Sequence, residues 1–384
     1  MAKKKVTEKI AQESEGLSLD EKLQRLKDIA SEINSKAKNV VCGSIDDDVI
    51  RDKLNIKFVP TPNDDLNEAI GGGFPRGTLT IVSGLPDSGK TGLLLETIGK
   101  NMQKDPKFTA LWLESEHSLS WDYMINTFGI DPTRFVFVQS SKDGAEIALD
   151  RCEKFLHSGA IDMFVINSLR ALVPRENLEK SIAENTMATQ ARMNTKMVNK
   201  YSDIISANDI AFVIVQHLTT QIGSYGDPFT VGGGYFIKHM CLLLLDMRKQ
   251  SVLDTDPIDK TEGMKIMISV KKNHVTPRIY PYVKVLHYVI YDEGTEVILT
   301  TLNKAIKQGI INAAGAWLSW PERDLKWQGK ENFRKYMREN PDDLESLRKV
   351  TFGDVEELTD QELQELNIDI EEDKKEYEAE MNAG

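Results

Sequence analysis

A phosphate-binding loop is the feature of this sequence with the clearest chemistry. Glycines let such a loop wrap closely, so that backbone N–H groups and the N-terminus of the next helix face phosphate oxygens. Lys90 is expected to reach the β- and γ-phosphates, and Thr91 to ligate Mg²⁺. The loop therefore predicts binding of a nucleoside triphosphate with Mg²⁺. Its eight residues match the pattern G-x-x-x-x-G-K-[ST]: Gly84, Leu85, Pro86, Asp87, Ser88, Gly89, Lys90 and Thr91.

Two further segments place polar side chains at the ends of apolar strands. Glu116 follows a strand ending at Glu114, where a carboxylate could polarise water for attack on the γ-phosphate. A solvated surface glutamate would occupy the same position. The apolar run at 163–167 is a strand of Walker-B type that ends in Asn167 instead of aspartate. Because a neutral oxygen holds Mg²⁺ more weakly than a carboxylate, we hypothesise modest or unusually Mg²⁺-dependent ATP turnover.

The elements that position these residues alternate apolar runs with helical stretches from about residue 56 to 290. This alternation predicts an α/β fold in which helices cover a mostly parallel sheet. The phosphate-binding loop would then lie between a strand and a helix that begins near Gly92. The candidate strands are 79–83, 109–114, 135–138, 163–167, 211–215, 241–247, 265–271 and 282–291.

Smaller segments flank this core. Residues 18–38 predict an amphipathic helix with a capping box formed by Ser18 and Glu21. Beyond about residue 294 the pattern is mixed and predicts a separate small lobe. We expect four parts: an N-terminal helical polymerisation segment (1–52), the core (53–292), a small α/β C-terminal lobe (293–350) and an acidic, disordered tail (351–384).

Composition limits the choice of function. The net charge of −12 counts against a nucleic-acid binder, but Asp and Glu concentrate after Asp354, and the rest of the chain is much closer to neutral. Three widely spaced cysteines, Cys42, Cys152 and Cys241, argue against a disulfide framework or a zinc cluster. No apolar run approaches the length of a membrane span, and no secretory signal is apparent, so we expect a cytoplasmic protein.

Together these segments resemble the RecA family, including phage relatives of the UvsX kind, over roughly residues 55 to 340. Residues 115–119 (S-E-H-S-L) are similar to the family's A-E-H-A-L, which implies that Glu116 activates the hydrolytic water. The resemblance implies that Tyr123 stacks on adenine, although a core tyrosine would fit the pattern too. Residues 158–162 and 167–172 are similar to S-G-A-V-D and D-S-V-A-A-L, with Asn167 in place of the Walker-B aspartate.

The resemblance also implies a path from nucleotide to DNA. Gln216 matches the glutamine that senses the γ-phosphate, and the glycine-rich segment 217–234 resembles the second DNA-binding loop. A long glycine-rich loop without an apolar pattern is usually functional or disordered. The first DNA-binding loop would lie between about Glu176 and Arg192, with Arg175 and Arg192 near DNA. The second loop's expected DNA contacts are Gly223, Tyr225, Gly226, Phe229, Gly232, Gly233 and Gly234.

Two features relate to assembly and duplex capture. Residues 271–274 resemble the family's K-N-K stretch, which implies that Lys272 reaches a neighbouring subunit's ATP, while His274 replaces the second lysine. A solvated lysine pair at a strand end is the alternative. Residues 314–320, 328–330 and 340–341 are similar to the family's C-terminal domain. The residues expected to form a basic face for duplex DNA there are Lys326, Lys330, Arg334, Lys335 and Arg338.

The resemblance implies a DNA-dependent ATPase that forms helical filaments on single-stranded DNA and exchanges strands with homologous duplex in recombination and repair. ATP and Mg²⁺ would be its cofactors. Single- and double-stranded DNA, further copies of the chain and single-strand-binding or loader proteins would be its partners, in the host cytoplasm if the source is viral. Two alternatives stay open: a RecA-fold ring helicase or DNA-stimulated motor, and a non-catalytic regulator whose Asn167 marks a degraded site.

Overall fold

The computed structural model describes residues 18–37, 42–140, 144–178, 187–220, 229–232, 235–254, 261–275 and 283–353. By its contacts the chain divides into a small unit, residues 1–58, and a large unit, residues 59–384. Among the helices of these ranges, none is both long and apolar enough to cross a membrane.

The small unit contains helices α1 (Leu19–Lys36) and α2 (Asp48–Leu54). The predicted capping box is confirmed, because Glu21 N donates to Ser18 Oγ while Ser18 N donates to Glu21 Oε2 at 2.8 Å. No residue of α1 is buried. Its large apolar side chains, which recur at helical spacing, are exposed: Leu19, Leu23, Leu26, Ile29 and Ile33.

The large unit is built on a ten-stranded sheet, and the predicted α/β fold with a mostly parallel sheet is confirmed. Six neighbouring strands run parallel in the order β5-β4-β6-β7-β3-β9, and β10, β11 and β12 continue the sheet antiparallel. The strands up to β12 are β1 (Phe58–Val59), β2 (Phe74–Pro75), β3 (Leu79–Gly84), β4 (Ala110–Glu114), β5 (Phe135–Gln139), β6 (Met163–Asn167), β7 (Ala211–Thr220), β8 (Phe229–Val231), β9 (Leu243–Asp254), β10 (Thr261–Asn273), β11 (Lys284–Ile290) and β12 (Gly294–Thr295).

Strands β7, β9 and β10 are all longer than predicted, and β7 is the one that carries Gln216. The apolar run predicted an end at Val215, but β7 continues to Thr220 because residues 218–220 pair antiparallel with β8. Backbone pairing does not require apolar side chains. The hairpin thus begins two residues after Gln216.

Helices cover both faces of this sheet, as expected for parallel strands joined by crossover connections. Strands β3, β4 and β6 are buried along their whole length. On the side of α6 and α8, Phe164 and Phe212 stack with ring centroids 5.0 Å apart, and Cys152 is buried beside them. The helices are α3 (Asp64–Ile70), α4 (Lys90–Lys104), α5 (Trp121–Asn126), α6 (Ala145–Leu156), α7 (Arg175–Leu178), α8 (Met187–Ala207) and α9 (Tyr235–Met240).

The C-terminal lobe packs a three-stranded antiparallel sheet against helices around its own core. Trp327 and Phe333 meet edge-to-face in that core at 4.9 Å. The elements are α10 (Val297–Lys307), β13 (Asn312–Ala314), β14 (Trp317–Trp320), β15 (Leu325–Gln328), α11 (Gly329–Glu339) and α12 (Pro341–Phe352).

One residue of the predicted basic face is misassigned. Arg334 is buried and pairs with Glu296 at 2.8 Å and with Glu331 at 3.0 Å. On α11 it shares the buried side with Phe333 and Met337, whereas Lys326, Lys330 and Lys335 are exposed. Since Glu296 also caps α10 by accepting from Ile298 N, Arg334 ties two helices of the lobe together.

Candidate nucleotide site

The phosphate-binding loop connects β3 to α4, as predicted, although α4 begins at Lys90 and not near Gly92. Two of its glycines cannot be replaced without a clash. A Cβ at Gly84 would lie 2.5 Å from the backbone oxygen of Met247. Gly89 has a φ of +81°, and its Cβ would lie 2.5 Å from Ile266 Cδ1. The loop therefore keeps its tight path because neighbouring strands press against it.

Lys90 is hydrogen-bonded to the phosphate-binding loop. Its Nζ donates to the backbone oxygens of Leu85 at 2.7 Å and Gly84 at 3.2 Å, and to Ser88 Oγ at 3.3 Å. Burial lowers the pKa of Lys90, while the charges of Glu116, Asp87 and Asp246 act in the opposite direction. The ammonium group is thus poised at the loop with weak carbonyl partners that phosphate oxygens can displace.

A cavity of about 400 Å³ opens beside the loop. Its lining includes residues 86–91 and Tyr123, which meets Phe128 edge-to-face at 4.9 Å. Tyr291 and Val289 also line the cavity, and sequence reasoning missed them. Their alternation along the chain with Tyr288 and Ile290 was the available signal, since alternate residues of a strand share one face. The cavity thus combines the phosphate-binding loop with aromatic side chains that could contact a base.

Glu116 lies in this cavity with a partner that the sequence did not reveal. Glu116 Oε1 accepts from His217 Nε2 at 2.6 Å and from the Ser168 hydroxyl. His217 lies on β7 directly after Gln216, 101 residues from Glu116 in the chain. Two donors therefore fix the carboxylate that was predicted to activate water.

Unpartnered oxygen atoms are concentrated at the strand ends near the loop. Gln216 and Asp246 are the cross-strand neighbours of Ser83, one on each side of β3. Gln216 Oε1 and Asp246 Oδ1 are buried and have no hydrogen-bond partner in the described chain. The same is true of Asn167 Oδ1 at the end of β6. A buried oxygen atom without a hydrogen-bond partner costs free energy unless a ligand contacts it. Mg²⁺ binds preferentially to oxygen ligands. The residues at this edge thus fit a Mg²⁺-nucleotide.

Comparison with known proteins identifies the family. A model of the RecA N-terminal domain matches residues 27–296, and a model of the RecA C-terminal domain matches residues 300–351. RecA of Thermus aquaticus is 32% identical over 301 residues, covering 77% of this chain and 85% of that protein. RecA of Aquifex pyrophilus is 31% identical over 300 residues (77% and 83%), and RecA of Saccharopolyspora erythraea is 33% identical over 296 residues (77% and 82%).

The chain belongs to the RecA family. It is a RecA-type recombinase of DNA recombination and repair, and the members of this family are DNA-dependent ATPases. A RecA fold with both family domains also implies nucleotide binding.

The structure does not bring Lys272 into the nucleotide cavity of its own chain. Its Nζ donates to the backbone oxygens of Lys238 at 3.0 Å and His239 at 2.9 Å, in the last turn of α9. This position does not bear on a contact with another subunit, so the predicted role of Lys272 stays a prediction.

The described residues expected at DNA lie on or directly beside three elements of this RecA-family chain, α7, α8 and β8. Arg175 begins α7, and Arg192 is exposed on α8. Lys196, one turn beyond Arg192, shares its surface, and sequence reasoning missed it although the i, i+4 spacing was visible. Phe229 belongs to β8, and Gly232 directly follows that strand. Five of the expected contacts lie outside the described residues: Gly223, Tyr225, Gly226, Gly233 and Gly234.

Proposed function

We propose that this chain assembles as a helical filament on single-stranded DNA and uses ATP to pair that strand with a homologous duplex. The observation that carries the proposal is the arrangement of Lys90 and Glu116 around one cavity, on a chain that matches both RecA domains. The match to the C-terminal domain favours a recombinase over a ring helicase or motor, because the nucleotide site alone would suit either.

In the proposed reaction Glu116 acts as the base. A water oxygen bonds to the γ-phosphorus while the bond from that phosphorus to the β–γ bridging oxygen breaks, and the water proton passes to the Glu116 carboxylate. ADP and inorganic phosphate are the products. Lys90 leaves its carbonyl partners and neutralises charge on the β- and γ-phosphates. Mg²⁺, which polarises phosphate oxygens when it is bound, would be held by Thr91 and Asn167.

Coupling to DNA is assigned to β7. His217 lines the cavity, Gln216 directly precedes it on β7, and the same strand continues into the hairpin with β8. A change in the position of Gln216 on γ-phosphate binding would therefore be transmitted to the hairpin through the backbone of one strand. In this scheme hydrolysis removes the γ-phosphate contact and weakens the grip on DNA.

Backbone contacts would dominate DNA binding. Arg175 and Arg192 are proposed to bind phosphates, and Lys196 extends their charge along α8. The glycines of the second loop allow close approach to the strand, while Tyr225 and Phe229 could stack on bases. Because complementary base pairing supplies the sequence information, the protein needs no base-specific side chains.

Assembly would use the unburied apolar stripe of α1. A stripe of this kind cannot remain in water without cost, and docking it on the next subunit gives a heterologous, non-closing contact of the type that builds filaments. Lys272 is proposed to reach the neighbouring nucleotide. We retain the four-part division at residues 52, 292 and 350, the cytoplasmic location and the single-strand-binding or loader partners as parts of this proposal.

The test is ATP turnover with and without single-stranded DNA, together with a displacement-loop assay using homologous duplex. Lys90→Ala is the control, since it removes the charge that binds phosphate. We expect DNA-stimulated turnover and homology-dependent pairing, both lost in the control. Stimulated turnover with closed rings in electron micrographs and no pairing would show that the chain is a motor, and turnover that survives Lys90→Ala would overturn the assignment of the site.

A further inference from the structure

A buried pair, Glu114 and Asn167, connects the strand ends behind the nucleotide site. The two residues are direct neighbours in the register of β4 and β6, and both are buried. Asn167 Nδ2 donates to Glu114 Oε2 at 3.0 Å. The asparagine that replaces the Walker-B aspartate therefore has a carboxylate directly behind it, 53 residues away in the chain.

Glu114 is surrounded by donors. Besides the amide of Asn167, its Oε2 accepts from Trp112 Nε1 at 2.8 Å, and its Oε1 accepts from the backbone N–H of Glu116 at 2.8 Å. A carboxylate suits this position because it can accept at both oxygens from several N–H groups at once. The contact with Glu116 N also joins this charge to the residue proposed as the base.

The pair determines which way the Asn167 amide points. Because Nδ2 faces Glu114, Oδ1 points away from Glu114 within the plane of the amide. There it is buried and has no partner among the described residues. If the amide were flipped, an oxygen would face the Glu114 carboxylate and the repulsion would be uncompensated. The orientation is thus a consequence of Glu114.

We propose that Glu114 and Asn167 together replace the Walker-B aspartate, Asn167 supplying the oxygen that faces the Mg²⁺-nucleotide and Glu114 supplying the negative charge. Glu114 is a positioning residue, since it acts through Asn167. The inference rests on the proposed nucleotide site and deepens it. This proposal changes the expectation for Asn167. The negative charge that is missing at position 167 is retained on Glu114, one side chain farther away.

The test is the binding of ADP, followed by calorimetry, with Mg²⁺ and with Mg²⁺ removed by chelation. Glu114→Gln should weaken Mg²⁺-ADP binding about tenfold, the order expected for coupling between contacting residues. Binding of metal-free ADP should not change, because the phosphate-binding loop is untouched. The double variant Glu114→Gln/Asn167→Asp returns the charge to position 167, where the new amide can donate to it, and should recover most of the Mg²⁺-dependent affinity.

The outcomes separate this inference from the proposed function. If Glu114→Gln weakens ADP binding equally with and without Mg²⁺, Glu114 is only structural. If Glu114→Gln leaves Mg²⁺-ADP binding unchanged, or if the double variant binds no better than Glu114→Gln, the division of roles is overturned. Thermal unfolding of each variant establishes that it is folded. ADP binding by the wild-type chain that is absent, or that survives in Lys90→Ala, would instead refute the nucleotide site itself.

Discussion

His287 gives a prediction whose size follows from the structure. Its imidazole is fully buried, and Nδ1 lies 3.2 Å from Asn63 Nδ2. Because an amide nitrogen can only donate, Nδ1 accepts and the ring proton is on Nε2. Burial lowers the pKa of His287 to about 4. The folded protein therefore keeps this histidine neutral under mildly acidic conditions.

The unfolded chain behaves differently, since an exposed histidine has a pKa near ~6.5. Between that value and about 4, the unfolded state binds a proton that the folded state does not. Stability must therefore fall as the pH is lowered through this window. At about pH 5 the loss attributable to His287 is about 2 kcal/mol. His287→Phe, a replacement of similar size, should abolish this component.

Thermal unfolding of the two proteins in matched buffers at about pH 7.5 and about pH 5 measures the effect. Carboxylates elsewhere in the protein also respond to acid. The relevant quantity is therefore the difference between the two proteins in how far the unfolding midpoint falls. We expect the wild-type midpoint to fall roughly 3 °C farther than that of His287→Phe. His157→Gln, which removes an exposed imidazole, is the control and should follow the wild type. Equal shifts in all three proteins would refute the reasoning about His287.

Three further predictions concern turnover and packing. His217→Ala should lower DNA-stimulated ATP turnover by about 10- to 100-fold, because a hydrogen bond to a charged group is worth roughly 1.5–3 kcal/mol, and steady-state rates equal to wild type would contradict this. Arg334→Met removes the main partner of the buried Glu296 carboxylate and should destabilise the protein by about 3–5 kcal/mol. Thermal unfolding should show a lower midpoint, and an unchanged midpoint would contradict the prediction. Gly99→Ala places a Cβ 1.8 Å from the backbone oxygen of Phe128 and should cost about 1–3 kcal/mol in the same assay, whereas Gly92→Ala, with 3.8 Å to the Phe128 ring, should be tolerated; equal midpoints for both would be the contrary result.

Local patterns were sufficient for several parts of the molecule. The phosphate-binding loop, the capping box of α1 and the parallel strands all depend on residues close together in the chain, and their types and spacing were visible. The departure at Asn167 was visible in the same way. The strand ends were less well predicted: β7 extends beyond its apolar run because β8 pairs with it, and pairing between strands leaves no mark on side-chain polarity.

Contacts between distant residues required the tertiary structure. The hydrogen bond between His217 and Glu116 spans 101 residues, and the one between Asn167 and Glu114 spans 53. Each depends on which strands become neighbours in the sheet, and a single sequence does not state that order. Arg334 shows the same limit, because its charge suggested a surface position while the direction of its side chain on α11 placed it against Glu296. Residue types and spacing thus decided the chemistry that the chain can perform, whereas strand order and side-chain direction decided which groups act together, since electrostatic and hydrogen-bond partners are selected by distance in space.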